Sequence, residues 1–319
     1  MKKIFSLIIA AALVSCEESL QPGNGTTCTV LLSFEAPESK SADPPDESKI
    51  SDVNLFVFNS QSGSLEEHLY IDTRNFTGEP LEIALLNGVR YDIAACFNFG
   101  YRLPRCGGRK DLASMRYYMV YPDEYRIGMP MSALEEGFLA GENASLILKA
   151  VRLMAKISIR MDRRDLDEGV VMNVAEVVVG GCPKSVTPFS DSKPLDRTDV
   201  FAQGFTKNGL AVDNLNKAGP ENGRSQEVDL YMLESLNGDL PSEMSDPTKA
   251  YAPYPYIEMR IDYYSPPTEG TGLWLMYRFC IGEEEGNADI KRNTRYRYTV
   301  CPHGTGLDLN PSWRVEFTK

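Results

Sequence analysis

Short runs in which apolar and polar residues alternate recur along almost the whole chain. Cys28 to Phe34 sets Val30, Leu32 and Phe34 on one face, a period of two that suits a half-buried strand and not a helix. Val53 to Phe58 is apolar apart from Asn54 and long enough for a core strand. Leu81 to Leu86 and Val89 to Phe97 flank Asn87-Gly88. That dipeptide accepts positive φ at both positions, so it predicts a hairpin closed by a type I′ turn. Further strand patterns cover Leu146 to Leu153, Lys156 to Met161, Val174 to Val179, Glu227 to Leu233, Tyr256 to Tyr264, Trp274 to Ile281, Arg295 to Cys301 and Trp313 to Phe317. Two short helices are expected, Asp111 to Tyr118 and Ser132 to Phe138, the second with Ser132 as its N-cap. Pro183 to Gly223 is polar, bears Gly and Pro, and reads as an elaborated loop. Many short strands with turn signals between them predict an all-β protein made of β-sandwiches. The 319 residues are enough for two domains of ordinary size. The boundary is placed near Arg152, giving an N-terminal domain over 28–152 and a C-terminal domain over 153–319.

The first 27 residues do not fit that pattern. Met1-Lys2-Lys3 is followed by an apolar run from Ile4 to Val14, broken only by Ser6. It is too short for a permanent transmembrane helix and has the form of a signal-peptide core over 1–15. The run ends in Leu13-Val14-Ser15-Cys16, which resembles the bacterial lipobox. That resemblance implies cleavage before Cys16 and lipidation of its thiol, with the palmitate-type anchor holding the chain at the outer membrane. Residues 16–27 are polar and read as a flexible tether.

Charge and side-chain inventory narrow the functions. A formal net charge of -12 argues against nucleic acid as a partner. Only two histidines exist, His68 and His303, neither beside a second ligand at metal spacing, so no metal and no cofactor is expected. No nucleophile elbow, Walker loop or zincin helix is present, so the chain is not expected to be an enzyme. Glu283-Glu284-Glu285 lacks calcium-loop spacing and reads as a solvated turn. Cys28, Cys96, Cys106, Cys182, Cys280 and Cys301 follow Cys16. In an exported protein an even count permits disulfides. The expected pairs are Cys96 with Cys106, across a short loop, and Cys280 with Cys301, on consecutive strands; buried thiols are the alternative. Tyr251, Tyr254, Tyr256, Tyr263 and Tyr264 crowd one segment, where they either cover a strand pair or bind a glycan or host protein.

Taken in order, several segments resemble the fimbrillin superfamily of Bacteroidales, the subunits of type V pili. They are the lipobox and the Leu81 to Asn98 segment; Ile127-Gly128-Met129-Pro130-Met131-Ser132 followed by Ala150 to Ile157; Leu230 to Gly238; and Tyr277-Arg278-Phe279, Arg292 to Tyr296 and Ser312-Trp313-Arg314-Val315. The resemblance implies two tandem transthyretin-like sandwiches, a place in a cell-surface fimbrium and a role in adhesion. It also implies assembly by strand exchange with other fimbrial subunits. A protease frees the first strand, here Thr29 to Phe34, and the open groove takes a C-terminal strand from the next subunit. The donor would be Trp313 to Phe317, with Trp313, Val315 and Phe317 on one face. The cut is expected in the polar loop Pro37 to Lys49. Family members are cut after arginine, but here the first arginine after Cys16 is Arg74. Lys40 and Lys49 are then the candidate positions. Otherwise the chain stays uncut and serves as the anchor at the fibre base. A glycan-binding surface lipoprotein is the further alternative.

Overall fold

A computed structural model describes residues 25–37, 47–72, 74–118, 128–193, 200–201, 210–217, 223–241, 254–265, 272–307 and 313–318. Nine strands precede residue 153: β1 (Thr27–Glu35), β2 (Val53–Asn59), β3 (Leu65–Ile71), β4 (Leu81–Leu86), β5 (Arg90–Phe97), β6 (Tyr117–Tyr118), β7 (Met131–Leu139), β8 (Ser145–Lys149) and β9 (Val151–Arg152). A single 3-10 turn, Arg109–Ser114, lies before β6. Eight of these strands build two sheets, ordered β4-β1-β8 and β3-β2-β5-β7-β9. Between them lies a core of Val30, Leu32, Ile83, Leu85 and Leu148 from the first sheet and Leu55, Val57, Tyr91, Ile93 and Phe97 from the second. The other face of the larger sheet is buried too. Phe56, Phe58, Ala94 and Cys96 pack there with Phe99, Leu103, Leu112 and Tyr117 from the segment that follows β5. This two-sided burial is why Val53 to Phe58 is continuously apolar.

Eleven more strands follow: β10 (Met154–Met161), β11 (Asp165–Leu166), β12 (Val171–Gly180), β13 (Cys182–Pro183), β14 (Ser185–Val186), β15 (Val200–Phe201), β16 (Val228–Leu233), β17 (Tyr256–Tyr264), β18 (Leu273–Cys280), β19 (Arg295–Gly304) and β20 (Trp313–Thr318). One sheet runs β11-β19-β10-β16, with β20 also on β19; the other runs β12-β17-β18. Ile157, Ile159, Leu230, Tyr296 and Tyr298 from the first meet Val177, Val179, Ile257, Met259, Ile261 and Phe279 from the second. A seven-residue helix, α1 (Leu210–Asn216), lies against β12. Among the described residues, the one ladder joining a strand before residue 153 to a strand after it is the two-residue pairing of β14 with β6.

Three expectations about elements are corrected. Ser132 to Phe138 is strand β7, not a helix, and it pairs with β5 on one side and β9 on the other. The Ala-Leu-Glu-Glu stretch favours helix locally, but two ladders outweigh a propensity of a few tenths of a kcal/mol per residue, roughly. Asp111 to Tyr118 is a 3-10 turn followed by the short strand β6. Asn87-Gly88 joins two sheets and is not a hairpin tip: β4 pairs with β1, whereas β5 pairs with β2 and β7. The turn is closed by the Val89 amide donating to the Leu86 carbonyl at 3.3 Å. Only Gly88 has positive φ, +76°, so the geometry is not type I′.

Candidate functional site

The N-terminal strand is the place to look, because of where it sits. β1 runs antiparallel to β4 and parallel to β8, so the first strand of the chain is the middle strand of its sheet. Val30 and Leu32 are fully enclosed, Cys28 nearly so, and Leu31 faces outward. Phe34 is half-buried at the far end, with its ring 5.5 Å from Phe97 and 6.2 Å from Phe76. If β1 were withdrawn, two edges would face each other across a row of four alternating sites. Those edges would present unpaired backbone groups, which are costly when buried.

The shoulders of the segment that follows β1 are fixed by a single side chain. Arg152 donates from Nη2 to the Pro37 carbonyl at 3.0 Å and from Nε to the Glu47 carbonyl at 2.9 Å. Its Nη1 reaches Asn293 Oδ1 at 3.2 Å. Burial presses the Arg152 guanidinium below its usual pKa, opposed by the charge of Glu47. Glu47 is itself only 7 % exposed. Its Oε1 accepts from Lys156 Nζ at 2.8 Å and from the Tyr231 hydroxyl at 2.7 Å. Lys156 continues to Asp229 Oδ2 at 2.7 Å. Burial alone would raise the Asp229 carboxyl, but hydrogen bonds from Lys156 and Ser158 outweigh it and hold the group below its usual value. The expected solvated loop Pro37 to Lys49 thus ends in a buried ion cluster, and Glu47 carries no local signal of burial because it stands between Asp46 and Ser48-Lys49.

Of the two lysines proposed for cleavage, Lys40 lies outside the described residues. Lys49 has an exposed side chain, but its carbonyl accepts from Asn98 Nδ2 at 2.7 Å. Asn98, at φ +63°, also donates to the Met129 carbonyl at 2.7 Å and accepts from the Ser51 amide at 2.7 Å. Gly128 lies against it so closely that a Cβ would come within 2.4 Å of Asn98 Nδ2. Two of the segments behind the fimbrillin resemblance therefore meet here as a bracket around Lys49. Two others meet at Glu234, whose carboxylate accepts from the Arg292 guanidinium and from the Ser192 amide at 3.0 Å. Arg292 also donates to the Pro188 carbonyl at 3.0 Å, the atom that Ser132 Oγ reaches at 2.7 Å.

β20 lies along β19, with Val315 opposite Val300 and Phe317 opposite Tyr298. Val315 is half-buried against the C-terminal core and Glu316 is exposed. No strand is paired to the other side of β20 among the described residues, so it is an edge strand. Trp313 and Phe317 lie within it; Cys16 and residues 1–24 lie outside the described residues.

The expected disulfides are not formed. Cys96, Cys106, Cys280 and Cys301 are all thiols. Cys280 ends β18 and Cys301 lies in β19, and these consecutive strands belong to opposite sheets. Cys96 is fully buried in β5, and burial pushes its thiol well above the ordinary range, which disfavours the thiolate that disulfide formation needs. The tyrosines form no common platform either. Tyr263 is enclosed with its hydroxyl on the Thr305 carbonyl at 2.8 Å, Tyr256 lies over Gly180, and Tyr264 faces solvent. Tyr251 lies outside the described residues.

No protein-family model matches this sequence, and no curated protein matches it. Solved structures do. The chain is similar to a candidate cell adhesion protein from Bacteroides eggerthii at a TM-score of 0.60 and 13% identity, covering 92% of this chain and 95% of that one. It is similar to the tip fimbrial protein Mfa3 from Porphyromonas gingivalis at 0.57 and 12%, covering 92% and 99%. It is similar to the fimbrilin FimA of Porphyromonas gingivalis at 0.56 and 13%, covering 91% and 96%. At such identities the likeness is one of fold, and it extends over nearly the full length of each chain.

Proposed function

We propose, from the fold that this chain shares with fimbrial proteins, that it is a stalk or tip subunit of a type V fimbria. In this reading it is exported as a lipoprotein through Cys16, reaches the cell surface by way of the outer membrane, and assembles by exchanging β1 for a strand of a neighbouring subunit. Its own C-terminal strand, with Trp313, Val315 and Phe317, is the donor to the next subunit, and the chain carries no catalytic activity. The domains are 28–152 and 153–319, a division supported by the sparse pairing across residue 153. The observation that carries the reading is the position of β1, at the centre of a three-stranded sheet with alternate side chains enclosed. Backbone pairing on both sides supplies affinity for a replacement strand, and the row of enclosed sites supplies register.

The test is the Val315→Asp, Phe317→Asp double variant expressed in the fimbriated bacterium. A charge at either position cannot enter an apolar site without a partner. The variant should fold and reach the surface yet fail to enter fimbriae; incorporation at the wild-type level would refute the donor role.

A second reading, an uncut anchor at the fibre base, draws support from two observations. No arginine lies between Cys16 and Arg74, and Arg152 binds both shoulders of the 38–46 segment. Mass spectrometry of the surface protein separates the readings. A new N-terminus between Lys40 and Ile50 means stalk or tip, and a retained lipidated Cys16 means anchor.

A further inference from the structure

We infer that the groove vacated by β1 receives its replacement strand from a different subunit and not from a second copy of this chain. The inference rests on the strand-exchange reading above and adds the identity of the partner. Along β1 the inserted side chains are Cys28, Val30, Leu32 and Phe34. The two central sites have no exposure at all, and both belong to the core that holds Tyr91, Ile93 and Phe97. Only the Phe34 end, half-open and lined by Phe76 and Phe97, has room for an aromatic ring.

The donor face of this chain is Trp313, Val315 and Phe317, large at both ends and small in the middle. Laid in the direction of β1 with Phe317 in the place of Phe34, it puts the Trp313 indole where Val30 was. Moved back by two residues, it puts Trp313 at Cys28 and Phe317 at Leu32. Laid in the opposite direction, it puts Trp313 at Phe34 and Phe317 at Val30, or Trp313 at Leu32 and Phe317 at Cys28. Each placement forces a ring into an enclosed site sized for valine or leucine. Interiors are close-packed and an added ring has no free volume to take. A strand hanging off the end repeats the clash or leaves Val30 and Leu32 sites empty, which costs cavity energy. The partner that fits carries valine- or leucine-sized side chains at the two central alternate positions and an aromatic at the Phe34 end. A second copy of this chain offers the reverse. By the same steric rule the subunit does not polymerise on itself.

The experiment uses the mature chain with a specific protease site placed within residues 38–46. After cutting, peptides compete with the β1 fragment, followed by a fluorescent label on that fragment. The peptide of residues 26–36 should exchange in. The peptide of residues 311–319 should bind at least about tenfold more weakly, the equivalent of the lower range of overpacking costs. Substituting Trp313→Val and Phe317→Leu in that peptide should restore binding. Equal binding by the unsubstituted 311–319 peptide, or homopolymers of the cut chain in solution, would overturn the inference alone. Failure of every peptide, including the chain's own 26–36, would instead remove the strand-exchange reading on which it stands.

Discussion

Glu47 is the residue on which the junction depends. Its carboxylate sits between Lys156 and the Tyr231 hydroxyl, while Arg152 holds its carbonyl. Without the Glu47 carboxylate, Lys156 keeps Asp229, and what is lost is the acceptor of the Tyr231 hydroxyl and of one ammonium hydrogen bond, worth about 1–3 kcal/mol. Glu47→Ala should lower stability by that order in urea unfolding, and combining it with Lys156→Met should deepen the loss, because Asp229 then loses its lysine partner. Two aspartates set the response to acid. Asp162 accepts from Arg164 at 2.8 Å and 2.6 Å and from Arg224 at 2.8 Å. The Arg164 hydrogen bonds hold its carboxyl well below the usual range, and Asp229 is also lowered. Folded values below unfolded ones mean that the unfolded chain takes up protons first as pH falls. Stability from these two groups is therefore complete above the ordinary aspartate value of about 4 and drains away below it. Asp52 acts the other way, since burial raises its carboxyl despite amide hydrogen bonds from Gly100 and Phe99. Urea titrations of the wild type and Asp162→Asn between pH 3 and 6, roughly the window of carboxylate titration, should show a shallower acid slope in the variant.

At the scale of elements, alternation of side chains made most of the long strands legible before any coordinates: β1, β2, β5, β10, β16, β17 and β19 are where the pattern predicts them. Three kinds of element escaped it. β3 was not visible because Leu65–Ile71 includes Glu66 and Glu67 on an edge strand, which has one sheet neighbour and a largely solvated surface. β7 read as helix because its sequence favours one and its strand state is imposed by β5 and β9. Leu146 to Leu153 was one strand in the pattern but is split between β8 and β9, which lie in different sheets. Pairing was the least legible property, since nothing within Leu81 to Phe97 says that β4 will leave β5 for β1. The turn at Asn87-Gly88 tests this account. At φ +76° with open space around a Cβ, Gly88→Ala carries only the backbone penalty, about 1 kcal/mol. A hairpin-tip glycine would report on β4–β5 pairing; here the substitution should also loosen β1, measurable as faster amide exchange along β1 and β4. The site was half legible. β1 and β20 are legible as strands from period two, and their exchange roles follow only from the family resemblance, whereas the Arg152–Glu47–Lys156 cluster joins residues far apart in sequence and leaves no local pattern.

At the scale of the molecule, the segments that carry the family resemblance meet one another through hydrogen bonds. They form hydrogen-bonded brackets: Asn98 with Gly128 and Met129 before residue 153, Glu234 with Arg292 after it, and Arg152 with Asn293 between the two halves. In the strand-exchange reading proposed above, a subunit pulled along a fibre would transmit load from a strand received in place of β1 to a strand donated at β20. Arg292→Ala breaks one bracket by removing the guanidinium that ties Glu234 to the Thr187, Pro188 and Ser190 carbonyls. These partners all lie after residue 153 and Glu234 is buried, so the substitution should lower the unfolding temperature, observable by calorimetry; an unchanged midpoint would refute the role.

The parallel pairing of β1 with β8 has a consequence for how the chain acquires its structure. Leu31 lies beside Ser145, so the earliest strand to be synthesised can complete its sheet only after a long stretch of later sequence is in place. Contacts of such sequence separation form slowly, because loop-closure entropy must be met before they are rewarded. Pulse-labelled amide exchange during refolding should show β2 and β5 protected first and β1 last. The vacant groove invoked in the strand-exchange reading would then have a counterpart on the folding path. If β1 docks last, the sheet without it is the state from which folding completes, and release of the strand would return the chain to that same state.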